Sequence, residues 1–376
     1  MNQKRKILFL VTEDWYFWSH RLPLARQARQ KGYSVIVATR VQAHGQRILD
    51  EGFQLIPIGM LRRSKNLLNE FRSILELIRI YRTERPDIVH HVALKPIVYG
   101  SLAARITGVP RVVNALAGMG YVFTTDNFKT KLLRPVIKLF LNVLFDRPNT
   151  RIILQNPDDR DMLIKAGIVR GELTRLIRGS GVDPQTYFPT PEPEGMLTVV
   201  MASRMLWDKG IKEFVDAAHL LRAEQVNARF VLVGDNDEHN PASVSTAQLT
   251  AWNMSGDVEW WGKHDNMPSI FAQSHIICLP SYREGVPKVL IEAAACGRPI
   301  VTTNAPGCRE IVRDTENGFL VPIRDHISLA HALRKLINEP SLRKKMGARG
   351  REIVLNEFTV DKVVDETLSL YSGLFQ

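Results

Sequence analysis

Two carboxylates flank a turn in the second half of the chain, where a strand gives way to a helix. Glu284 and Glu292 have seven residues between them. The apolar run 276–279 predicts a strand buried on both faces, and residues 281–285 predict a loop at its carboxyl end. Pro287 suits the first position of the following helix, since its missing N–H costs nothing there. Both glutamates then lie at the edge of an α/β sheet where ligands bind. For Glu292 a solvated helix face is the alternative.

Groups that bind anions lie in the same half of the chain. The backbone N–H groups of Gly285 and Val286 point out of the N-terminus of the predicted helix, a geometry that binds phosphate. Arg204 and Lys209 stand five residues apart, after the predicted strand 197–201 and on a loop that enters a helix. Both can therefore reach one pair of phosphates, arginine with a planar fork of donors and lysine with a movable point charge. Two solvated surface charges are the alternative.

The first half of the chain carries a second group of candidate side chains. Four aromatic residues, 15–18, follow the first predicted strand, 7–11, in what the pattern indicates is a loop. Four in a row cannot all enter one core, so some either grip a sugar ring or a lipid, or form a hydrophobic plug under the loop. His90 and His91 are adjacent on the predicted strand 88–91 and so face opposite sides of it. At most one faces a cleft, and each is otherwise a buried histidine with satisfied hydrogen bonds.

Length and composition bound the kind of protein. A chain of 376 residues predicts two domains, and 45% hydrophobic with 24% charged residues is typical of a globular protein. Strand residues follow Lys4–Lys6 directly, so no secretory signal is expected, and no apolar run reaches the ~18 residues of a membrane span. The three cysteines form no Cys-x-x-Cys pair, so neither a zinc site nor a disulfide framework is indicated, and a reducing cytoplasm fits.

The positive charge is confined to the first half of the chain. Residues 1–188 hold 30 Lys/Arg and 15 Asp/Glu, a net charge of +15, whereas residues 189–376 hold 20 and 24, a net charge of −4. This asymmetry predicts an anionic partner for the first half, namely a membrane surface, nucleic acid or a phosphorylated substrate, with a basic solvated surface as the alternative.

One segment of that basic half has the pattern of an interfacial helix. Apolar residues recur around most of 129–145, and the remaining positions carry basic side chains: Lys129, Lys131, Arg134 and Lys138. Such a helix lies in an anionic membrane interface. An interdomain or core helix with snorkelling lysines is the alternative.

Several motifs in the right order give the chain a family resemblance. Beyond 279–303 they are Gly181-Val182-Asp183, the stretch 202–210 (ASRMLWDKG), the stretch 304–312 (NAPGCREIV) and Asn317-Gly318-Phe319-Leu320-Val321-Pro322. The chain resembles the family 4 retaining glycosyltransferases with their E-x7-E region. The resemblance implies an α/β protein of GT-B fold, with two Rossmann-like domains whose parallel sheets face each other across a cleft.

The resemblance also implies a division of labour between the two domains. Residues 1–188 would form the acceptor-binding domain and 189–356 the nucleotide-sugar-binding domain, with a proline-rich linker at 188–195. A C-terminal helix at about 357–376 would pack back on the first domain.

Site roles follow from the matching positions. Arg204 and Lys209 would grip the donor diphosphate, Glu284 would contact the donor sugar, and Glu292 would hydrogen-bond the ribose. Gly234, Asp235 and Gly262 would lie near the nucleotide base. The acceptor residues expected in the first domain are Trp15, Arg21, Lys95, Asn114 and Gly118. No cofactor is expected, and the pair Asp235 and Asp237 is not expected to bind a metal, since the family usually needs none.

The run 118–123 (GMGYVF) is similar to the subgroup of capsular-polysaccharide glycosyltransferases that includes the N-acetylgalactosaminyltransferase of bacterial N-glycan assembly. The chain departs from many relatives in two places. It has aromatics where they have glycines after the first strand, and Leu116 and Ala117 where they have a histidine near the donor sugar.

The subgroup implies transfer of a sugar, an N-acetylhexosamine or hexose, from a UDP-sugar to a polyprenyl-diphosphate-linked saccharide. The setting would be cytoplasmic, on the inner face of the cell membrane. Three alternatives remain: a soluble GT-B transferase using GDP-mannose or ADP-glucose, a nucleotide-sugar epimerase, and a basic nucleic-acid-binding protein. Against the last, no recognition module and no basic stripe interleaved with aromatics is present.

Overall fold

The computed structural model describes residues 4–62, 66–116, 118, 138, 140–237 and 240–376. It is an α/β protein, as predicted, in which every described strand pairs in parallel with its neighbours. The chain divides into two compact units: unit 1 is Met1–Ser180 with Val363–Gln376, and unit 2 is Gly181–Lys362. The division at 180/181 falls earlier than the predicted boundary at 188/189.

Unit 1 is built on a seven-stranded sheet of order β3-β2-β1-β4-β5-β6-β7. Its strands are β1 (Lys6–Glu13), β2 (Ser34–Arg40), β3 (Gln54–Pro57), β4 (Ile88–Val92), β5 (Val112–Leu116), β6 (Thr150–Leu154) and β7 (Thr174–Leu176). Its α-helices that are described from end to end are α1 (Asp14–His20), α2 (Leu22–Gln30), α3 (Gly45–Asp50), α4 (Leu67–Glu84), α5 (Leu94–Thr107) and α6 (Pro157–Lys165).

Unit 2 is built on a six-stranded sheet of order β10-β9-β8-β11-β12-β13. Its strands are β8 (Leu197–Ala202), β9 (Ala228–Val233), β10 (Glu259–Gly262), β11 (Ile276–Leu279), β12 (Ile300–Thr303) and β13 (Gly318–Val321). Its described α-helices are α7 (Ile211–Ala223), α8 (Thr246–Ser255), α9 (Met267–Ala272), α10 (Lys288–Ala295), α11 (His326–Asn338) and α12 (Pro340–Glu357).

Continuous apolar runs form the central strands because helices cover both faces of a parallel sheet. In β1 the residues Ile7–Leu10 are fully buried, and so are Ile276–Cys278 in β11. Polar caps set the helix starts. Asn66 accepts the Leu68 N–H at the start of α4, and Asn156 accepts the Asp159 N–H at the start of α6.

The last helix, α13 (Val360–Gly373), starts at the end of unit 2 and lies mostly in unit 1. Its Tyr371 hydroxyl hydrogen-bonds His90 of β4. Beyond it, the Phe375 ring lies 3.9 Å from the guanidinium carbons of both Arg5 and Arg111. Residues 357–376 are the segment predicted to pack on the first domain.

The strand order of each sheet reverses once. In unit 1 the reversal lies between β1 and β4, and in unit 2 it lies between β8 and β11. At such a switch point the loops after the two strands run in opposite directions and open a crevice that binds ligands. The candidate site residues should therefore lie in the loops after β1, β4, β8 and β11.

Two local predictions are wrong. The aromatic stretch 15–18 is not a loop, because it forms most of α1. Pro287 is not the first helical residue but the N-cap of α10, with extended backbone angles. Of the basic residues predicted for a membrane helix, Lys129, Lys131 and Arg134 lie outside the described residues.

Candidate active site

An ion pair occupies the switch point of unit 2. The Lys209 ammonium, in the turn after β8, lies 2.5 Å from a carboxylate oxygen of Glu284 in the loop after β11. The Ser281 hydroxyl donates to the same oxygen at 2.7 Å. Both side chains are partly exposed, at 16% and 13%, so the pair is held firmly yet remains open to a ligand.

The loop that carries Glu284 rests on the chain after β12. The Glu284 N–H donates to the Pro306 carbonyl at 3.0 Å. Gly307 has a φ of +83°, and a Cβ there would lie 2.3 Å from the Gly285 carbonyl oxygen and 2.6 Å from that of Glu284. Only glycine tolerates this approach. The motif at 304–312 thus supports the Glu284 loop through close backbone contact.

A second glycine brings the two loops of the switch point together. Gly210 follows Lys209, has a φ of +78°, and would place a Cβ 2.2 Å from the Pro280 carbonyl oxygen. The Tyr282 N–H also donates to the Asp208 carbonyl at 3.0 Å. Backbone contact between the turn after β8 and the loop after β11 therefore fixes the spacing of Lys209 and Glu284.

Arg204 lies on the other side of the same turn. Its guanidinium is 3.0 Å from a carboxylate oxygen of Asp237, which follows β9. Lys209, by contrast, pairs with an acid that follows β11. Each of the two predicted phosphate-binding cations is thus held by a carboxylate from a different neighbouring loop.

The three residues predicted near a nucleotide base lie together at the carboxyl ends of β9 and β10. The Gly234 N–H donates to the Gly262 carbonyl at 2.7 Å, and Asp235 accepts the Lys263 N–H at 3.1 Å. The Trp260 indole N–H donates to the Gly234 carbonyl at 2.8 Å. A Cβ at Gly234 would lie 1.9 Å from the Ser203 carbonyl oxygen, so a side chain there would displace the turn that carries Arg204.

Glu292 is placed differently from Glu284. It lies on α10 and is almost fully buried, 3.3 Å from the Lys288 ammonium one turn earlier. Burial raises the pKa of the Glu292 carboxyl, and Lys288 and a hydrogen bond with Tyr187 partly offset that rise. A solvated helix face is therefore excluded for Glu292. Gly285 and Val286 are buried directly before α10.

The switch point of unit 1 holds two of the residues predicted to bind an acceptor. Trp15 lies on α1 after β1, with 39% of its surface exposed. Lys95 lies at the start of α5 after β4, 2.7 Å from a Glu70 carboxylate oxygen and 2.6 Å from the Leu61 carbonyl oxygen. Between β4 and α5, Ala93 has a φ of +74°, a strained backbone of the kind that clusters at functional sites.

Arg21 and His90 meet inside unit 1. Both are buried and line a cavity of about 10 Å³ with Gln155 and Thr367. Among the described residues, Arg21 Nε and His90 Nε2 have no hydrogen-bond partner. Burial, with the charges of Arg21 and His91, lowers the pKa of His90 well below its ordinary value, which keeps its imidazole neutral. Arg21 is thus enclosed rather than presented on the surface.

Asn114 belongs to a buried network. Its carboxamide oxygen lies 2.8 Å from His91 Nδ1, and its amide donates to the Ser101 hydroxyl at 3.1 Å. His91 Nε2 lies 3.0 Å from the Tyr81 hydroxyl, and burial lowers the pKa of His91 to about 4. These contacts occupy Asn114 within the core and speak against its predicted contact with an acceptor. Both histidines are buried, His91 in this network and His90 beside the small cavity that it lines with Arg21.

Gly118 is partly buried at a bend, and no described atom lies within 4 Å of a Cβ placed there. Across the described residues no group of three or more His, Cys, Asp or Glu side chains has the arrangement of a metal site. Nor does any helix in that part of the chain combine the length and apolar character that crossing a membrane requires.

Three residues that contact the two glutamates are not predicted from the sequence. Ser281 and Lys288 contact the two glutamates, and Tyr187 hydrogen-bonds Glu292 from the segment before the predicted linker. Lys288 carries a usable signal, because it stands four residues before Glu292 at helical spacing. Tyr187 carries none, since its distance from Glu292 along the chain hides their contact.

Comparison with known proteins identifies the family to which this chain belongs. A profile described as "Glycosyl transferases group 1" matches residues 183–353, and one described as "Glycosyl transferase 4-like" matches residues 6–156. The N-acetyl-alpha-D-glucosaminyl L-malate synthase of Bacillus anthracis is 30% identical over 308 residues, which cover 79% of this chain and 77% of that protein. The chain belongs to the group 1 glycosyltransferases.

Two further comparisons place this glycosyltransferase among characterised relatives. It is 25% identical over 384 residues, 99% of each chain, to the N,N'-diacetylbacillosaminyl-diphospho-undecaprenol alpha-1,3-N-acetylgalactosaminyltransferase of Campylobacter jejuni. Its structure is similar to that of Anabaena HepE in complex with UDP and glucose, with a TM-score of 0.79 and 19% identity over 98% of this chain and 99% of that one. The predicted family and GT-B fold are confirmed.

Proposed function

We propose that this glycosyltransferase moves a sugar, an N-acetylhexosamine or hexose, from a UDP-sugar to a saccharide carried on polyprenyl diphosphate, with retention of anomeric configuration. Two likenesses support the two substrates. The Campylobacter jejuni relative is named for a diphospho-undecaprenol acceptor and an N-acetylgalactosaminyl group. The Anabaena structure of the same fold holds UDP.

The observation that carries the proposal is the Lys209–Glu284 pair at the switch point of unit 2. A donor diphosphate bound there would meet the Lys209 ammonium, the Arg204 guanidinium and the N-terminus of α10. Glu284 has two roles in this arrangement. It orients Lys209 before the donor binds, and it faces the sugar next to the diphosphate.

The chemistry needs a stabilised leaving group more than it needs a nucleophile. The bond between the anomeric carbon and the diphosphate oxygen breaks, and the acceptor hydroxyl bonds to that carbon on the same face. The hydroxyl proton passes to the departing diphosphate oxygen. Negative charge builds on the diphosphate during this step, and preorganised cations stabilise such charge most effectively. Lys209 and Arg204 supply them, while Glu284 stabilises positive charge on the sugar ring.

Binding of the nucleotide base and ribose is assigned to the remaining donor residues. Gly234, Asp235 and Gly262 form a compact backbone surface at the ends of β9 and β10, which suits a flat base. Glu292 is the ribose ligand, and its buried contact with Lys288 holds it in one position. No metal is required, since cations of the protein neutralise the diphosphate.

The lipid-linked acceptor implies work at the inner face of the cell membrane. Three described acceptor candidates lie partly at the surface: Trp15 and Lys95 at the switch point of unit 1, and Gly118. The basic segment that includes Lys129 and Lys131 stays a prediction for membrane contact. We expect this enzyme to associate with the membrane peripherally.

A thermal-shift panel of UDP, GDP, ADP and TDP with their common sugars tests the donor assignment. A nucleotide present at about 100 times its dissociation constant stabilises the fold by about 2.7 kcal/mol. We expect selective stabilisation by UDP and one UDP-sugar, unchanged by EDTA. Selective stabilisation by GDP-mannose or ADP-glucose would replace UDP in the proposal, and retention on DNA without any nucleotide binding would refute it.

A further inference from the structure

The side chain of Tyr282 joins the loop that carries Glu284 to two other parts of unit 2. Tyr282 stands two residues before Glu284, in the loop after β11. Its hydroxyl donates to a Glu213 carboxylate oxygen at 2.7 Å, and the guanidinium carbon of Arg324 lies 4.7 Å from the centroid of its ring. Glu213 belongs to the first turn of α7, and Arg324 lies between β13 and α11. Three segments that follow three different strands therefore meet at one phenol ring.

Glu213 is a buried acid whose partner is this phenol. It is 8% exposed, and within the described residues its second carboxylate oxygen has no hydrogen-bond partner. A hydrogen bond to an ionised carboxylate is stronger than one between neutral groups, and the helix dipole stabilises a carboxylate in the first turn of a helix. The Tyr282 hydroxyl is thus bound firmly to the start of α7.

The surroundings of Tyr282 keep its hydroxyl protonated. Burial, together with the hydrogen bond and the charge of Glu213, raises the pKa of Tyr282 to about 12, and Arg324 partly offsets that rise. At neutral pH the hydroxyl is therefore a donor. Arg324 has a φ of +63°, in the left-handed region that side chains rarely adopt. The turn between β13 and α11 is thus strained at the residue whose guanidinium covers the ring.

The Tyr282–Glu213 bond and the Lys209–Glu284 ion pair span the same two segments. Lys209 stands four residues before Glu213, just as Tyr282 stands two before Glu284. A donor diphosphate that binds the Lys209 ammonium competes with the Glu284 carboxylate and weakens the ion pair. The Tyr282–Glu213 bond, with the backbone bond from the Tyr282 N–H to the Asp208 carbonyl, then remains to hold the loop.

We propose that Tyr282 is a positioning residue for Glu284. Its hydroxyl, anchored on Glu213, keeps the Glu284 carboxylate at the sugar while the Lys209 ammonium is bound to the diphosphate. The inference rests on the proposed function, in which Lys209 and Glu284 meet different parts of the donor. The hydroxyl and ring of Tyr282 contact Glu213 and Arg324 rather than the ion pair, so Tyr282 acts through the backbone of the loop.

Steady-state kinetics and calorimetry with UDP test this role in two variants. Tyr282→Phe removes the hydroxyl and keeps the ring, but it leaves the Glu213 carboxylate buried without a hydrogen bond, which by itself can destabilise the fold. Tyr282→Phe with Glu213→Met replaces both partners by apolar groups of similar shape, a change that can be nearly neutral for stability.

In both variants we expect kcat to fall by about 10- to 100-fold, because a misplacement of about 1 Å costs on that order. The dissociation constant of UDP should stay within about twofold of the wild-type value, since Lys209 and Arg204 still meet the diphosphate. A merely structural role would instead reduce the number of UDP-binding sites in step with kcat.

A second measurement requires no substrate. Two contacts that span the same segments support each other, so Lys209→Ala should lower the thermal midpoint by less in the double variant than in the wild type. The matched control is Tyr99→Phe, which breaks a bond of the same kind between the Tyr99 hydroxyl and a Glu70 carboxylate oxygen in unit 1. In that background Lys209→Ala should lower the midpoint as much as in the wild type.

Three results would overturn the proposal. They are a kcat of wild-type size in Tyr282→Phe with Glu213→Met, a fall in kcat with an equal loss of UDP-binding sites, and an equal effect of Lys209→Ala on the midpoints of this variant and the wild type. Absence of both UDP binding and transfer in the wild type would refute the proposed function instead. The comparison of midpoints would then still decide whether Tyr282 positions the ion pair.

Discussion

The two switch points differ in where they keep their polar side chains. In unit 2, Lys209 and Glu284 lie in loops beyond the strand ends and are partly exposed. In unit 1, His90, His91 and Asn114 lie within β4 and β5 and are fully buried. Polar groups in the loops remain available to a ligand, whereas those within the strands are enclosed: Asn114 hydrogen-bonds His91, and His90 hydrogen-bonds Tyr371. The same topology therefore leaves polar side chains accessible in unit 2 and encloses them within the strands of unit 1.

Removing the acidic member of the unit 2 pair should have the largest effect. Glu284→Ala leaves Lys209 without its orienting carboxylate and the developing charge on the sugar without a partner. We expect transfer to fall about 10³-fold while folding is retained, because electrostatic groups of this kind contribute on that order. Transfer from UDP-sugar to a lipid-linked acceptor measures it, with the exposed Glu352→Ala as the control. Near-normal turnover in Glu284→Ala would remove Glu284 from the site.

The equivalent experiment in unit 1 should change stability rather than turnover. Asn114→Ala leaves His91 Nδ1 and the Ser101 hydroxyl buried without a partner. We expect the free energy of unfolding to fall by about 3 kcal/mol, since each unsatisfied group costs about 1–3 kcal/mol. Chemical denaturation measures this loss, and the exposed Asn338→Ala should show none. Unchanged stability combined with a raised KM for the acceptor would mean that Asn114 binds acceptor.

The buried histidines predict a loss of stability in acid. Both have a pKa below the ordinary value of 6.5, that of His91 at about 4, because burial disfavours the charged form. Their contribution is fully present above pH 6.5 and is lost as the pH falls from 6.5 toward 4, since the unfolded chain then binds protons that the folded chain does not. For His91 the loss between pH 7 and pH 5 is about 2 kcal/mol, and His90 adds to it in the same direction.

Denaturation at the two pH values measures this effect. His91→Asn should make the loss of stability between pH 7 and pH 5 smaller than in the wild type, whatever its effect at pH 7. An equal loss in both proteins would show that His91 is not the group that takes up the proton.

The contrast between the two switch points also explains what could be predicted from the sequence. Lys209, Glu284 and the glycines around them stand in loops with defined motifs, and parallel topology brings such loops together. Whether Asn114 and Arg21 are accessible to a ligand could not be predicted in this way. A polar side chain in or beside a strand contacts either a ligand or the core, depending on what packs against the sheet. The helix that contacts His90 is α13, and its Tyr371 lies 281 positions after His90 in the sequence.

Two further features could not be predicted from the sequence, for related reasons. The stretch 15–18 forms a helix because tertiary packing overrides its local pattern: Phe17 is buried, and Asp14 accepts the backbone N–H groups of Gln42 and His44. In α4 apolar residues occur on both faces, so periodicity alone does not show which face the protein covers. That Leu67, Leu68 and Phe71 remain exposed is a property of the folded unit.

Calorimetric titration with UDP is the most direct test of the central claim, that the Lys209–Glu284 switch point of unit 2 holds the donor diphosphate. Lys209→Ala removes the ammonium and leaves Glu284 to repel the phosphates. Lys212→Ala, which removes an exposed lysine three residues further along the chain, is the control. We predict that Lys209→Ala weakens UDP binding about 30-fold, or about 2 kcal/mol for a lost charged hydrogen bond, and that Lys212→Ala leaves it unchanged. Equal UDP affinity in wild type and Lys209→Ala, or no binding of UDP by either, would contradict the account.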